Sequence, residues 1–123
     1  PNATSPNATM TLRIISGAMP TFGEAPCWLV ITEDDMYAYT TNAASGTIST
    51  FMISDTGGLN LLSAIAAKTQ TPALDMALSE GNMYLYVLNG DSITGFEVFP
   101  DGGLHQVTDV SGLPDSATGL AAK

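Results

Sequence analysis

The chain carries few groups that could do chemistry. Its 123 residues include twelve Asp and Glu, three Lys and Arg, one His and one Cys. A nucleophilic triad needs a histidine held beside its nucleophile. The single His105 falls in a run that reads as an outer strand, so it does not supply one. General acid–base work is left to carboxylates. Glu24 in "GEAPCW" and Asp75 in "TPALD" each stand at an apolar run and are the catalytic candidates. Trp28 is the aromatic candidate for stacking on a ligand. Each has a plainer reading: Glu24 caps a turn, Asp75 accepts backbone amides, and Trp28 anchors a core. Asp34, Asp35 and Asp55 are oxygen donors of the kind calcium uses, but their spacing is not that of an EF-hand loop. Glu33-Asp34-Asp35 reads as solvated charge in a turn, and no metal site is expected. Cys27 has no partner for an internal disulfide and no CxxC or Cys/His cluster around it, so a small core thiol is expected. "DTGG" and "DGG" are turns rather than phosphate loops, and no cofactor is expected.

The balance of charge excludes whole classes of partner. The formal net charge is −9, with Arg13, Lys68 and Lys123 the only strong bases. Such a surface repels phosphate backbones, so nucleic acid is excluded as a partner, as are anionic membranes. Only 12% of residues are charged, against about 25% in an average soluble domain. A chain this short of charge either covers itself with Ser, Thr, Gly and Asn or buries apolar surface against something else. No run reaches the roughly 18 to 20 apolar residues of a membrane span. The chain starts at Pro1 with no visible signal peptide, and reads as processed, trimmed or excised from something longer.

The elements that must position these residues are repeated. "EDDMYAYTTN" at 33–42 returns as "EGNMYLYVLN" at 80–89. Glu33 and Glu80, Met36 and Met83, Tyr37 and Tyr84, Tyr39 and Tyr86, and Asn42 and Asn89 all lie 47 residues apart. The following loop is two residues shorter in the second copy, and the spacing becomes 45: Ile48 with Ile93, Phe51 with Phe96, Gly57-Gly58-Leu59 with Gly102-Gly103-Leu104. A period of about 46 residues belongs to solenoids and propellers. Within each unit the pattern is four short strands. "CWLVIT" and "LDMALS" are apolar runs suited to strands buried on both faces. "MYAYTTN" and "MYLYVLN" are aromatic and β-branched, and "TISTFMIS" and "SITGFEVF" follow. "DTGG" and "PDGG" are strong turn signals before the last strand. Four strands per unit make an antiparallel meander, the blade of a β-propeller. Residues 27–67 and 73–112 are therefore expected to form two four-stranded sheets packed face to face, with the tyrosines between blades.

The frame P-x-x-(apolar)-x-(apolar)-S/T-E-D/G-x-M-Y-x-Y-x-x-N, followed by I-x-x-F-x-(I/V) and G-G-L, resembles the blades of the lactonase-type propellers, the 6-phosphogluconolactonase and carboxymuconate-cyclase-like group. The resemblance covers residues 11 to about 123, and "SGLPDSATGLAAK" is similar to the closing segment of such chains. It implies an all-β fold of propeller blades in an incomplete ring, the C-terminal two and a half blades of a seven-bladed family. The divisions are a flexible leader at 1–9, an outer strand of a preceding blade at 10–22, blades at 23–68 and 69–112, and an inner strand of a following blade at 113–123. It also implies a lactonase-type hydrolase with ligands bound at the inner strands, where Glu24, Trp28 and Asp75 stand. The sequence departs from that pattern: no Arg, Lys or His lies at an inner-strand position to hold an anionic sugar acid. The chain alone is therefore expected to be non-catalytic, an assembly or binding module whose partner is another copy of itself or the remaining blades. The alternative is a C-terminal fragment of a complete lactonase.

The head, "PNATSPNATM", is a near-repeat with two N-x-Thr triplets, at Asn2 and Asn7. These are glycosylation candidates in a secreted protein of a glycosylating organism. The plain reading is a Pro/Ser/Thr/Asn leader without core contacts. An extracellular or periplasmic location is the expectation.

Overall fold

The computed structural model describes residues 10–123, which leaves the Asn2 and Asn7 triplets outside the described residues. It contains two four-stranded antiparallel sheets in simple meander order. The first comprises β1 (Pro26–Ile31), β2 (Tyr37–Asn42), β3 (Thr47–Ile53) and β4 (Leu59–Lys68). The second comprises β5 (Asp75–Leu78), β6 (Tyr84–Asn89), β7 (Ser92–Val98) and β8 (Leu104–Ser111). A single 3-10 turn, Glu80–Asn82, interrupts the all-β pattern. The two spans read from the sequence are thus two separate sheets.

The repeated residues are those the turns require. In the β1–β2 turn the Thr32 hydroxyl accepts the Tyr37 amide at 3.0 Å. In the β5–β6 turn Ser79 does the same for Tyr84, also at 3.0 Å. Three residues on from each, Asp35 and Asn82 share a φ of 58°, a left-handed conformation that Asp and Asn tolerate better than most residues. Gly57 and Gly102 have φ of 86° and 84°, where a Cβ would be strained. Their turns close by the same backbone bond, Ser54 N–H to Gly58 O and Phe99 N–H to Gly103 O, both 2.9 Å.

Side chains alternate across a strand with period two, and this sends each blade's tyrosines toward the next blade. Tyr37, Tyr39 and Ile48 of the first sheet form one cluster with Ala73, Met76, Leu85, Val87 and Phe96 of the second unit. The Tyr39 hydroxyl donates to Gly102 O at 2.9 Å, and the Tyr37 hydroxyl donates to Pro100 O at 3.1 Å. Gly102 is buried against the Tyr37 ring, which would lie 2.7 Å from any added Cβ. The turns are tied as well: Gly81 N–H donates to the Glu33 carboxylate at 3.2 Å, and Glu33 N–H donates to Asn82 Oδ1 at 2.9 Å.

Three expectations are corrected. Residues 10–22 and 113–123 form no paired strand. Cys27 is exposed rather than a core thiol. The first inner strand is not buried on both faces: Val30 packs toward the core, whereas Leu29 and Ile31 are about half exposed.

The terminal segments nevertheless follow the route of the internal junction. Leu113 N–H donates to Asp91 O just as Thr69 N–H donates to Gly46 O, both at 2.8 Å. Thr21 and Thr69 each donate a hydroxyl to the side-chain oxygen of the β2 or β6 asparagine, at 2.8 and 2.7 Å.

Burial keeps the Tyr39 phenol protonated by pushing its pKa above the ordinary tyrosine value, and the nearby Tyr37, Asp101 and Asp34 act in the same direction. Its cross-strand partner Thr50 is the contrasting case: its hydroxyl is buried with no hydrogen-bond partner. Tyr39→Phe leaves the Gly102 carbonyl without its donor and is expected to lower unfolding stability by about 1 kcal/mol. Thr50→Val keeps the β-branched shape while removing an unsatisfied polar group, and is expected to be neutral or stabilising by up to about 1 kcal/mol. Urea unfolding of the two variants checks the pair; an equal loss from both would contradict the assignment.

Candidate functional site

Of the three residues proposed for chemistry, Trp28 and Asp75 lie on the inner strands and Glu24 precedes the first of them, and the structure does not assemble them. Asp75 opens β5 and is 6% exposed. Its Oδ1 accepts the Met76 amide at 2.7 Å, and its Oδ2 accepts the Leu120 amide at 2.8 Å. Both oxygens are therefore engaged with backbone, one of them by the chain's own tail. Glu24 is exposed in the segment before β1, where its backbone N–H donates to Ser45 Oγ at 3.2 Å. Trp28 sits at a register shift between Pro26 and Leu29 and is 47% exposed. Threonine hydroxyls replace the missing ladder bonds there: Trp28 N–H donates to Thr41 Oγ1 at 3.0 Å, and Thr40 Oγ1 donates to Trp28 O at 2.8 Å. The indole is neither the core anchor nor part of a closed pocket. No hydrogen bond joins Glu24, Trp28 and Asp75 to one another among the described residues.

The other candidates are dispersed. His105 lies on the exposed outer strand β8, its ring 6.4 Å from that of Phe99. Asp34, Asp35 and Asp55 line one open cleft on the first blade with Met36, Ser54 and Gly57. No group of three His, Cys, Asp or Glu among the described residues is arranged to hold a metal. Asp34 is committed to its own turn: its Oδ1 accepts the Thr32 hydroxyl at 2.6 Å and the Met36 amide at 3.1 Å. These bonds, the Thr32 one foremost, hold its carboxyl below the ordinary aspartate pKa.

The most organised polar arrangement is one that sequence reasoning noted only as a repeated asparagine. Asn42 Nδ2 donates to Thr47 Oγ1 at 3.0 Å and to Ser49 Oγ at 2.9 Å, and Oδ1 accepts from Thr21. Ser49 passes the network on to Ala64 O at 2.8 Å. In the second blade Asn89 Nδ2 donates to Thr94 Oγ1 at 2.8 Å, and Oδ1 accepts from Thr69. Gly23 is required beside the first network, since a Cβ there would lie 2.2 Å from Asn42 Cγ. Each network ties three strands and the incoming connection of one blade together, a structural use of buried polar groups. Part of the signal was on the sequence: Asn42/Asn89 and Ser49/Thr94 recur at the 47- and 45-residue spacings of the repeat, whereas Thr21 and Thr69 lie 48 apart and fall outside that register.

Two successive meanders of this kind, joined by tyrosine-to-turn bonds, are blades of a β-propeller. No family model matches the sequence, and no curated protein matches it. Solved structures do match. A protein of unknown function from Desulfotomaculum acetoxidans aligns over 76% of this chain and 30% of its own, with TM-score 0.69 and 22% identity. A periplasmic gluconolactonase from Pseudomonas aeruginosa aligns over 72% of this chain and 27% of its own, with TM-score 0.63 and 28% identity. A provisionally assigned 6-phosphogluconolactonase from Bacteroides fragilis aligns over 72% and 26%, with TM-score 0.61 and 31% identity. In fold, the chain is a pair of blades from a lactonase-type β-propeller. It spans between a quarter and a third of the length of these proteins. No helix among the described residues is long and apolar enough to cross a membrane.

The Asp34 bonds set a pH signature. A carboxyl whose folded pKa is depressed contributes stability that is present above its unfolded pKa and is lost as pH falls through the folded value. Asp34→Asn is therefore expected to lower the melting temperature slightly at neutral pH. The gap between variant and parent should close as pH drops below the ordinary aspartate value of 3.8. Melting curves across that range measure it; a gap that persists unchanged in acid would mean that the Thr32 and Met36 bonds do not depend on the charge.

Proposed function

We propose that this chain is a blade module of a lactonase-type propeller that is non-catalytic by itself and acts through assembly with further blades. One observation carries the reading. Asp75, the carboxylate that the fold buries at the inner strands, has both oxygens engaged with the Met76 and Leu120 amides. None of its hydrogen-bond partners among the described residues is a lysine, arginine or histidine. The second reading, a C-terminal fragment of a complete propeller hydrolysing a sugar-acid lactone, is favoured by the 26% to 30% share of the neighbours' length that the chain spans. Under it, the missing blades supply the cations and close the channel, and Glu24 and Asp75 become two walls of a site shared with them. The periplasmic neighbour supports a location outside the cytoplasm for the whole protein under either reading.

The test is a pH-stat assay of the purified chain with 6-phosphogluconolactone and with a neutral sugar lactone. The expected result is no rate above uncatalysed hydrolysis for either substrate. A clear rate that disappears in Asp75→Asn or Glu24→Gln, with the fold intact by circular dichroism, would falsify the non-catalytic reading.

A further inference from the structure

The internal blade junction has two halves, and the chain carries an unpaired example of each. The first half is the tyrosine pair of a β2-type strand. Tyr37 and Tyr39 are buried, with their hydroxyls on Pro100 O and Gly102 O. Their repeats, Tyr84 and Tyr86, are only partly buried on the far face of the second sheet. Their rings lie 6.4 Å apart, and neither hydroxyl has a partner among the described residues. The second half is the glycine turn. Gly102 is buried beneath Tyr37, whereas its repeat Gly57 is exposed. By the 45-residue spacing, Asp55 O and Gly57 O are the counterparts of the two carbonyls that receive tyrosine.

We infer that these halves belong to each other: the Tyr84–Tyr86 face of one copy receives the Asp55–Gly58 turn of a second copy, head to tail. The inference rests on the reading of the chain as an assembly module. It commits to a second copy because the same sequence supplies both halves in the register already used inside the molecule. The contact is heterologous, so it propagates into a ring or a fibre rather than stopping at a two-fold dimer.

Both halves are partly occupied by the chain's own ends in the free protein. Ile15 stands over Gly57 where a tyrosine would stand, 3.2 Å from the position of an added Cβ, and Ser16 Oγ accepts the Leu59 amide at 2.9 Å. The tail residues Leu120–Lys123 lie along Tyr86, Ile93 and Val110, pinned by the Leu120 N–H to Asp75. Docking displaces both. Charge opposes it. In the internal junction Glu33 meets Gly81 and Asn82, whereas between copies Glu80 meets Asp34 and Asp35, with Asp55 in the same cleft. The association is therefore expected to strengthen with added salt, which screens like charges.

The experiment is sedimentation velocity of the full chain across the micromolar range at low and high salt. Concentration-dependent species larger than a monomer, favoured by salt, are expected. Tyr86→Phe, whose hydroxyl bonds nothing among the described residues, is expected to weaken association about fivefold, the loss of one hydrogen bond. Gly57→Val, which puts a side chain where the tyrosine must pack, is expected to weaken it tenfold or more, roughly the worth of 1.4 kcal/mol. Leu120→Pro removes the amide that pins the tail and is expected to strengthen it. Circular dichroism verifies the fold of each variant. Association that both Tyr86→Phe and Gly57→Val leave unchanged overturns the clasp while leaving the assembly reading standing. A monomer in every condition, including Leu120→Pro at high salt, overturns self-assembly altogether, whereas the lactonase assay alone decides the non-catalytic reading.

Discussion

The bond from the Tyr39 hydroxyl to the Gly102 carbonyl is the constraint on which the arrangement of the two sheets depends. A buried phenol with no acceptor, or a buried carbonyl with no donor, would cost more than the bond itself contributes. Satisfying both requires the β7–β8 turn of one blade to lie over the β2 strand of the other. That requirement explains the glycine at 102, because any side chain there would meet the Tyr37 ring. It also explains why Tyr39 stays protonated well past the ordinary tyrosine range. Its contribution is present below the unfolded tyrosine pKa and fades only as pH rises through the folded one.

Each blade has its own internal tie, and the two ties are independent of the junction. The Asn42 and Asn89 networks tie each meander together and catch the segment that leads into it, through Thr21 or Thr69. Because they use side chains of the blade itself plus one threonine from the connection, they are complete in both blades. The tyrosine junction is complete only once, between the blades. The molecule thus combines satisfied local networks with unsatisfied faces at its two ends, the condition of repeat architectures, in which each unit buries its faces against its neighbours. Exposed Leu29, Ile31 and Trp28 on the first blade and half-buried Tyr84 and Tyr86 on the second mark those faces.

The chemistry follows from the same division. A propeller brings its inner strands together only when the ring closes, so carboxylates on successive inner strands do not converge through local structure alone. Asp75 is the informative case. The position read as a candidate for acid–base work is held by amides from its own strand and from the tail. Glu24 and Trp28, before and on the first inner strand, are exposed.

The sequence by itself determined the unit: its length, its four strands, its turn residues and the direction in which its tyrosines face. Each of these depends on contacts a few residues apart or on strict alternation along a strand. The 47- and 45-residue spacings carried that information directly, because Thr32 and Ser79, Asp35 and Asn82, and Gly57 and Gly102 meet the same local demands twice. What only the tertiary structure decided is which faces are covered. Cys27 and the runs at 10–22 and 113–123 have the composition of buried or paired elements, yet Cys27 is exposed and neither run forms a strand. Burial is a property of the neighbour as much as of the residue, and a local pattern cannot report whether the neighbour is present. The same holds for Asp75, whose partner Leu120 lies 45 residues away and reaches it only because the tail retraces the path of the internal junction.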